Sequence, residues 1–193
     1  INDVEFEGLS NNIESIGKEI DEKYLDALMN VSLSQEAISR QNDLSIVFSP
    51  IHGTSGVLVP PALKRYGFKN VTLVEEQMTY DGDFPTVEYP NPEEEEALTM
   101  ALDKAKEIDA ELVMATDPDA DRVGIAIKDH HDEWVLLNGN QTGALIINYV
   151  LNAWQEADKV DGNEYIVKTI VTSYLIDAIA EYYGVECYNT LTG

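Results

Sequence analysis

Glu111-Leu112-Val113-Met114-Ala115-Thr116-Asp117-Pro118-Asp119-Ala120-Asp121-Arg122-Val123-Gly124 is the stretch that organises this chain. An apolar run of strand length, Glu111–Ala115, delivers three carboxylates at alternate positions, with an arginine beside the last. Residues two apart along an extended backbone face one side, so Asp117, Asp119 and Asp121 converge. Like charges that close repel and raise one another's pKa unless a cation sits among them. Oxygen-only ligands suit a hard divalent ion, Mg²⁺ or Ca²⁺. Pro118 stiffens the loop and removes one amide hydrogen that could pair elsewhere.

An EF-hand loop also opens Asp-x-Asp-x-Asp, but it needs glycine at its sixth position and a bidentate glutamate at its twelfth. Arg122 and Lys128 stand there, and a strand rather than a helix leads in. That motif is excluded. Three carboxylates, one divalent ion and one guanidinium nearly cancel in charge, and they leave Mg²⁺ open positions for water or phosphate oxygens. Arg122 offers a planar fork that grips phosphate in bidentate fashion.

Outward from this loop, strand and helix patterns alternate. Ile13, Ile16, Ile20, Tyr24 and Leu28 recur every three or four residues and predict an amphipathic helix over 13–29, followed by a shorter one at Ser34–Arg40. Strands at Ser45–Phe48 and Val71–Val74 bracket a helix through Leu63 and Tyr66 that stops at Gly67 and is interrupted at its start by Pro60-Pro61. Gln77–Asn91 reads as a long ordered loop. Glu93–Ile108 reads as a helix whose leading acids, Glu93–Glu96, suit the positive end of its dipole. Val123–Ile127 and Glu133–Leu137 predict an antiparallel pair, with His130 and His131 solvent-exposed in the turn between them. Gly139-Asn140-Gln141-Thr142-Gly143 reads as a helix-starting junction between domains, with a phosphate-binding turn as the alternative. Beyond it come a helix at Ala144–Trp154, a strand at Tyr165–Val171, a helix at Tyr174–Tyr183 and a strand at Val185–Asn189.

This alternation predicts an α/β fold, a three-layer arrangement with a mixed, mainly parallel sheet and helices on both faces. The chain divides into a helical lead-in over 1–40, a metal-binding α/β unit over 41–138, and an incomplete start of a further α/β unit over 139–193.

Thirty-six acidic residues against 12 basic ones give a net charge of −24. Nucleic acid and anionic membrane both demand a basic surface, so neither is a partner. A halophilic or otherwise acid-rich source accounts for the same excess. The single cysteine, Cys187, excludes an internal disulfide and a cysteine zinc cluster, and it suits a reducing cytoplasm. No apolar run reaches the ~18 residues of a membrane span. The chain begins without methionine, and both ends read as cut.

Asp117-Pro118-Asp119-Ala120-Asp121-Arg122 resembles the metal-binding loop of the α-D-phosphohexomutases, the phosphoglucomutase/phosphomannomutase family. The resemblance continues in order through Ser49-Pro50-Ile51-His52-Gly53-Thr54, Asp81-Gly82-Asp83-Phe84-Pro85-Thr86-Val87, Pro90-Asn91-Pro92-Glu93-Glu94, Gly139–Gly143 and Val167–Ser173. It implies the second domain and the start of the third in a four-domain enzyme, with a middle-domain fold of the phosphoglucomutase type.

In that family a phosphoserine exchanges its phosphate with a sugar monophosphate, and a sugar bisphosphate is the activating intermediate of the complete enzyme. Carried over, Asp117, Asp119 and Asp121 hold Mg²⁺ against the phosphoserine, and Arg122 lies beside the phosphoryl group. The family's Thr-Ala-Ser-His-Asn-Pro serine loop is absent here, so the fragment alone is expected to be inactive. Glucose phosphates are the expected substrates, with pentose and mannose phosphates as alternatives. His52 is read first as the hydrogen-bonded histidine of a structural turn, and it is also the candidate phosphate contact of that loop. Lys168 is a candidate cleft residue, with Thr172 and Ser173 capping the next helix. A reading from another class is an acidic Ca²⁺-binding interaction domain without catalysis.

Overall fold

The computed structural model describes residues 10–192. Its helices are α1 (Lys18–Asn30), α2 (Gln35–Arg40), α3 (Val59–Tyr66), α4 (Glu95–Glu107), α5 (Gly139–Glu156) and α6 (Leu175–Tyr183). Its strands are β1 (Ser45–Ser49), β2 (Asn70–Leu73), β3 (Leu112–Thr116), β4 (Val123–Lys128), β5 (Trp134–Leu137), β6 (Tyr165–Thr169) and β7 (Glu186–Thr190).

β1 to β5 form one sheet in the order β2-β1-β3-β4-β5, parallel through its first three strands and antiparallel from β3 to β5. This is the mixed α/β sheet that the alternation predicts. The crossover from β1 to β2 runs toward one edge, and the crossover from β2 to β3 runs back. Right-handed connections of opposite direction put α3 and α4 on opposite faces.

On α4, Ala97, Leu98, Ala101, Leu102 and Ala105 are buried at helical spacing. The small alanines let the helix lie close over Val47, Val113, Ala115 and Ala126, forming the main core. Ile46 and Phe48 point to the other side of β1. Both are buried, at 1% and 0% exposure, which contributes about 1.5–3 kcal/mol each. The helical layer of α3 and α1 packs there, with Leu63 and Leu25 as its buried residues.

The N-terminal stripe departs from expectation. Helix α1 begins at Lys18, so Ile13 and Ile16 precede it and stand exposed. Ile20 and Tyr24 also face outward, and Leu25 is the residue that goes in. Contacts with α3 set this rotation. Arg65 pairs with Glu22 and Asp26, and the Tyr66 hydroxyl donates to the Leu28 carbonyl at 3.0 Å. Residues 1–9 of the lead-in lie outside the described residues.

Two other expectations are corrected. Pro60 and Pro61 open α3 rather than interrupt it, because the first turn of a helix has no use for their missing amide hydrogens. Gly139–Gly143 does start a helix, but as the first residues of α5 itself rather than as a junction ahead of Ala144. The Asn138 side chain accepts from the Gln141 amide at 3.0 Å, and the Gln141 side chain accepts from the Asn138 amide at 3.0 Å. That reciprocal cap starts the helix five residues before its apolar face begins.

β6 and β7 form a separate parallel pair. Leu151, Tyr183 and Val185 pack with Ile147, Ile166 and Ile179 beneath it. The opposite face, with Tyr165, Val167 and Tyr188, is exposed. Among the described residues no helix is long and apolar enough to cross a membrane.

Candidate metal centre

Sheet order fixes where a site can form. β1 passes the chain to β2 on one side, while β3 passes it to β4 on the other. β1 and β3 are adjacent and parallel, so the loops leaving their carboxyl ends stand side by side at one end of the sheet. Pro50–Gly56 and Asp117–Arg122 are those two loops.

Thr116 and Val123 are the last paired residues of β3 and β4, so 117–122 is the connecting loop. Ala120 turns it with φ 63°, in the left-handed region, and donates its amide to the Asp117 carbonyl at 3.1 Å. Asp117 is 1% exposed, yet it is not left unpaired. Its Oδ1 accepts from the Arg122 amide at 2.9 Å and its Oδ2 from Arg122 Nε at 2.8 Å. Asp119 and Asp121 are exposed. One oxygen from each of Asp117, Asp119 and Asp121 lies within 4.8 Å of the others.

The electrostatics reveal a deficit of positive charge. Burial pushes the Asp117 carboxyl up, but hydrogen bonds from the Arg122 amide and guanidinium outweigh it and hold the group below its ordinary value. Asp121 is pushed up, first by the closeness of its carboxyl to that of Asp117 and then by the charges of Asp119 and Asp117. One guanidinium faces three carboxylates. The donor set fits a hard divalent cation, since every atom is a carboxylate oxygen and each Asp117 oxygen keeps a further acceptor position beyond its Arg122 bond.

Neighbouring backbone buttresses the hairpin. A Cβ on Gly124 would run into the Pro92 carbonyl, with that carbonyl carbon only 2.7 Å away. The Pro90–Glu93 segment thus lies directly on β4, and only glycine admits it.

His52 lies on the β1 loop, but its ring is bonded to a different segment. It is 4% exposed, and both ring nitrogens have partners within the chain: Nδ1 at 2.9 Å from the Thr79 carbonyl and Nε2 at 2.9 Å from Thr86 Oγ1. In the neutral ring Nδ1 donates to the carbonyl, so Nε2 accepts from the Thr86 hydroxyl. Gln77 Nε2 donates to Thr86 at 2.9 Å, and the Ser49 hydroxyl donates to Gln77 Oε1 at 2.5 Å. This buried chain ties the end of β1 to the 77–87 loop and leaves no ring nitrogen for a phosphate. Gln77 and Thr86 were not legible as members of it, because their partners lie 28 and 34 residues away in sequence.

Lys168, on β6, is 7% exposed, and its Nζ lies 3.0 Å from Asp177 Oδ2. That oxygen lacks the angular geometry of a hydrogen bond, so the contact is chiefly one of charge. Tyr174 lies beneath the ammonium at 5.3 Å. Ser173 Oγ accepts from the Leu175 amide at the start of α6, whereas the Thr172 hydroxyl pairs with that of Thr169 and does not cap the helix. The structure thus gathers Asp117, Asp119, Asp121 and Arg122, while His52 and Lys168 are committed to other partners.

The family profile described as phosphoglucomutase/phosphomannomutase, alpha/beta/alpha domain II, matches residues 22–130, more than half of the chain. The profile for alpha/beta/alpha domain III of the same family matches residues 138–193. The chain belongs to the phosphoglucomutase/phosphomannomutase family. A phosphoglucomutase of Staphylococcus aureus (strain MRSA252) is 40% identical over 153 residues, covering 79% of this chain and 27% of that protein. The chain therefore spans about a quarter of the length of the curated relatives it matches. Among solved structures, a phosphoglucomutase/phosphomannomutase family protein from Burkholderia thailandensis superposes with a TM-score of 0.67 at 21% identity, over 90% of this chain and 33% of that one. An Aspergillus fumigatus N-acetylphosphoglucosamine mutase in complex with GlcNAc-6P and magnesium gives 0.58 at 15% identity, over 92% and 36%. Likeness at such identities speaks for the fold alone.

Proposed function

We propose that this chain is the metal-binding central part of a phosphohexomutase, with Asp117, Asp119 and Asp121 holding Mg²⁺ and Arg122 contacting the transferring phosphoryl group. The observation that carries this is the convergence of three carboxylate oxygens within 4.8 Å beside a guanidinium held by a buried aspartate. Mg²⁺ bound there supplies positive charge to phosphate oxygens. Asp117 fixes the guanidinium through Nε, and neither Arg122 Nη has a hydrogen bond to the described residues. Those amino groups can grip a phosphate in bidentate fashion. Asp119 and Asp121, both exposed, present their oxygens outward.

In this reading 41–138 is the metal-binding unit and 139–193 the start of the next, with the phosphoserine supplied from outside this chain. Glucose phosphates are the proposed substrates of the whole enzyme, supported by the name of the Staphylococcus aureus relatives. The Aspergillus neighbour, solved with GlcNAc-6P and magnesium, supports the choice of ion and of a sugar phosphate. Cys187 as the lone cysteine supports a cytoplasmic setting.

Calorimetric titration with Mg²⁺, Mn²⁺ and Ca²⁺ tests the reading. Mg²⁺ and Mn²⁺ should bind, Asp119→Asn should abolish binding, and the chain alone should turn over no sugar phosphate. Preference for Ca²⁺ would instead support an acidic interaction domain.

A further inference from the structure

We propose that Gly53 and Thr54 are positioning residues for the Asp117–Asp121 centre, acting together as a clamp on the Pro118 peptide. The inference rests on reading that cluster as a cation centre. Within the 117–122 loop, the hydrogen bonds of Ala120 and Arg122 all return to Asp117. They close the loop on itself without fixing its height over the sheet. The bonds that tie it to another segment converge on one atom, the Pro118 carbonyl oxygen. It accepts from the Thr54 amide at 2.8 Å and from Thr54 Oγ1 at 3.2 Å. That carbonyl sits between Asp117 and Asp119, so its position governs both carboxylates. One residue further along the β1 loop, Ser55 Oγ meets Thr116 Oγ1 at 2.5 Å and secures the end of the strand that delivers them.

Gly53 supplies the room for this approach. Its backbone, φ −99° and ψ −173°, is one any residue adopts, so conformation does not demand glycine here. Space does. A Cβ on Gly53 would come within 2.5 Å of the Pro118 oxygen and 2.7 Å of its carbonyl carbon, and closer still to its Cα. All three are backbone atoms that cannot swing aside. Alanine would lift the 117–121 loop off the β1 loop and spread the three oxygens.

Three variants and two readouts decide the matter. Gly53→Ala should weaken Mn²⁺ binding roughly tenfold or more, in the range seen when residues supporting metal ligands are removed. Thr54→Val, which keeps the amide bond and loses the hydroxyl bond, should weaken it several-fold, and Thr54→Ser should restore it to near wild type. If Gly53→Ala does not fold, as judged by circular dichroism, the Thr54 pair carries the test. Folded variants that bind Mn²⁺ like wild type overturn the clamp, and so does Thr54→Ser binding as poorly as Thr54→Val. A wild-type chain that binds no Mn²⁺ removes the cation reading. The clamp is then decided by amide exchange at Ala120 and Arg122 in the metal-free protein. Faster exchange in Thr54→Val sustains it, and unchanged exchange overturns it.

Discussion

Asp117 has two duties that pull its carboxylate in different directions. As a buried anion it needs donors, and Arg122 supplies two of them. As a proposed ligand it needs an acceptor position to spare, which the second lone pair of each oxygen provides. Asp119, exposed, has the second duty only. The two aspartates should therefore answer differently to the same change. In Asp117→Asn an amide nitrogen or a weaker acceptor must face Arg122 Nε in a site closed to water, which costs about 1–3 kcal/mol. Asp119→Asn should leave stability within about 0.5 kcal/mol, the usual range for exposed substitutions, while metal binding is lost in both. Denaturant unfolding of the two variants, measured without metal, checks the contrast; equal destabilisation would mean that Asp117 is not the hub of the loop. The spacing of the carboxylates made the cluster legible, but the alternation of an extended strand is not what gathers it: strand pairing ends at Thr116, and a turn through Ala120 brings the three oxygens together. The sequence could not reveal that Arg122 is bound to Asp117 on one side and open on the other. That depends on how the loop closes over Ala120.

Elements follow the same division between local and distant causes. The β-strands emerged within a residue or two of their expected bounds, since short apolar runs between turn residues have few alternatives. Helix α1 did not show its expected face. The stripe of Ile13, Ile16, Ile20 and Tyr24 has ideal helical spacing, but Arg65 on another helix holds Glu22 and Asp26 at the edge of the contact, and Leu25 goes in. The start of α5 was placed five residues late, at Ala144, although Asn138 and Gln141 carried the capping signal. The Ser49–Gln77–Thr86–His52 chain joins elements that no local pattern links. Gln77 is fully buried and serves two hydroxyls. Gln77→Leu should cost about 3 kcal/mol in thermal or denaturant unfolding, because it strands both partners. A loss under about 1 kcal/mol would mean that water replaces it. At the β6–α6 contact, closeness to Lys168 lowers the Asp177 carboxyl, outweighing burial, which pushes the other way. A lowered folded value stabilises above the ordinary aspartate value of about 3.9, and the benefit fades as pH falls through the folded value. Asp177→Asn should thus be less stable than wild type at neutral pH, with the gap closing as pH falls through the lowered folded value. A pH-independent gap would point to packing instead.

Across the whole molecule, charge is the dominant quantity. The topology places an acidic loop at the carboxyl end of β3 in a chain already carrying a net −24. Self-repulsion on that scale destabilises the compact state and is screened by any salt. A specific ion does something else: it binds the folded state and stabilises it by mass action, by about 1.4 kcal/mol at ten times its dissociation constant. The two effects separate experimentally. Raising NaCl should lift the unfolding temperature smoothly, in wild type and in Asp119→Asn alike. MgCl₂ at the same ionic strength should lift wild type further, by about 3–6 °C for a chain of this size. Asp119→Asn should lose only that excess. If Mg²⁺ and Na⁺ at equal ionic strength gave equal midpoints in wild type, the acidic cluster would be one more patch of a heavily acidic surface, and its convergence at the end of β3 would have no bearing on metal. An excess retained in Asp119→Asn would place the ion elsewhere on the molecule. The excess belongs to the loop only if it appears in wild type and vanishes with one of the three aspartates.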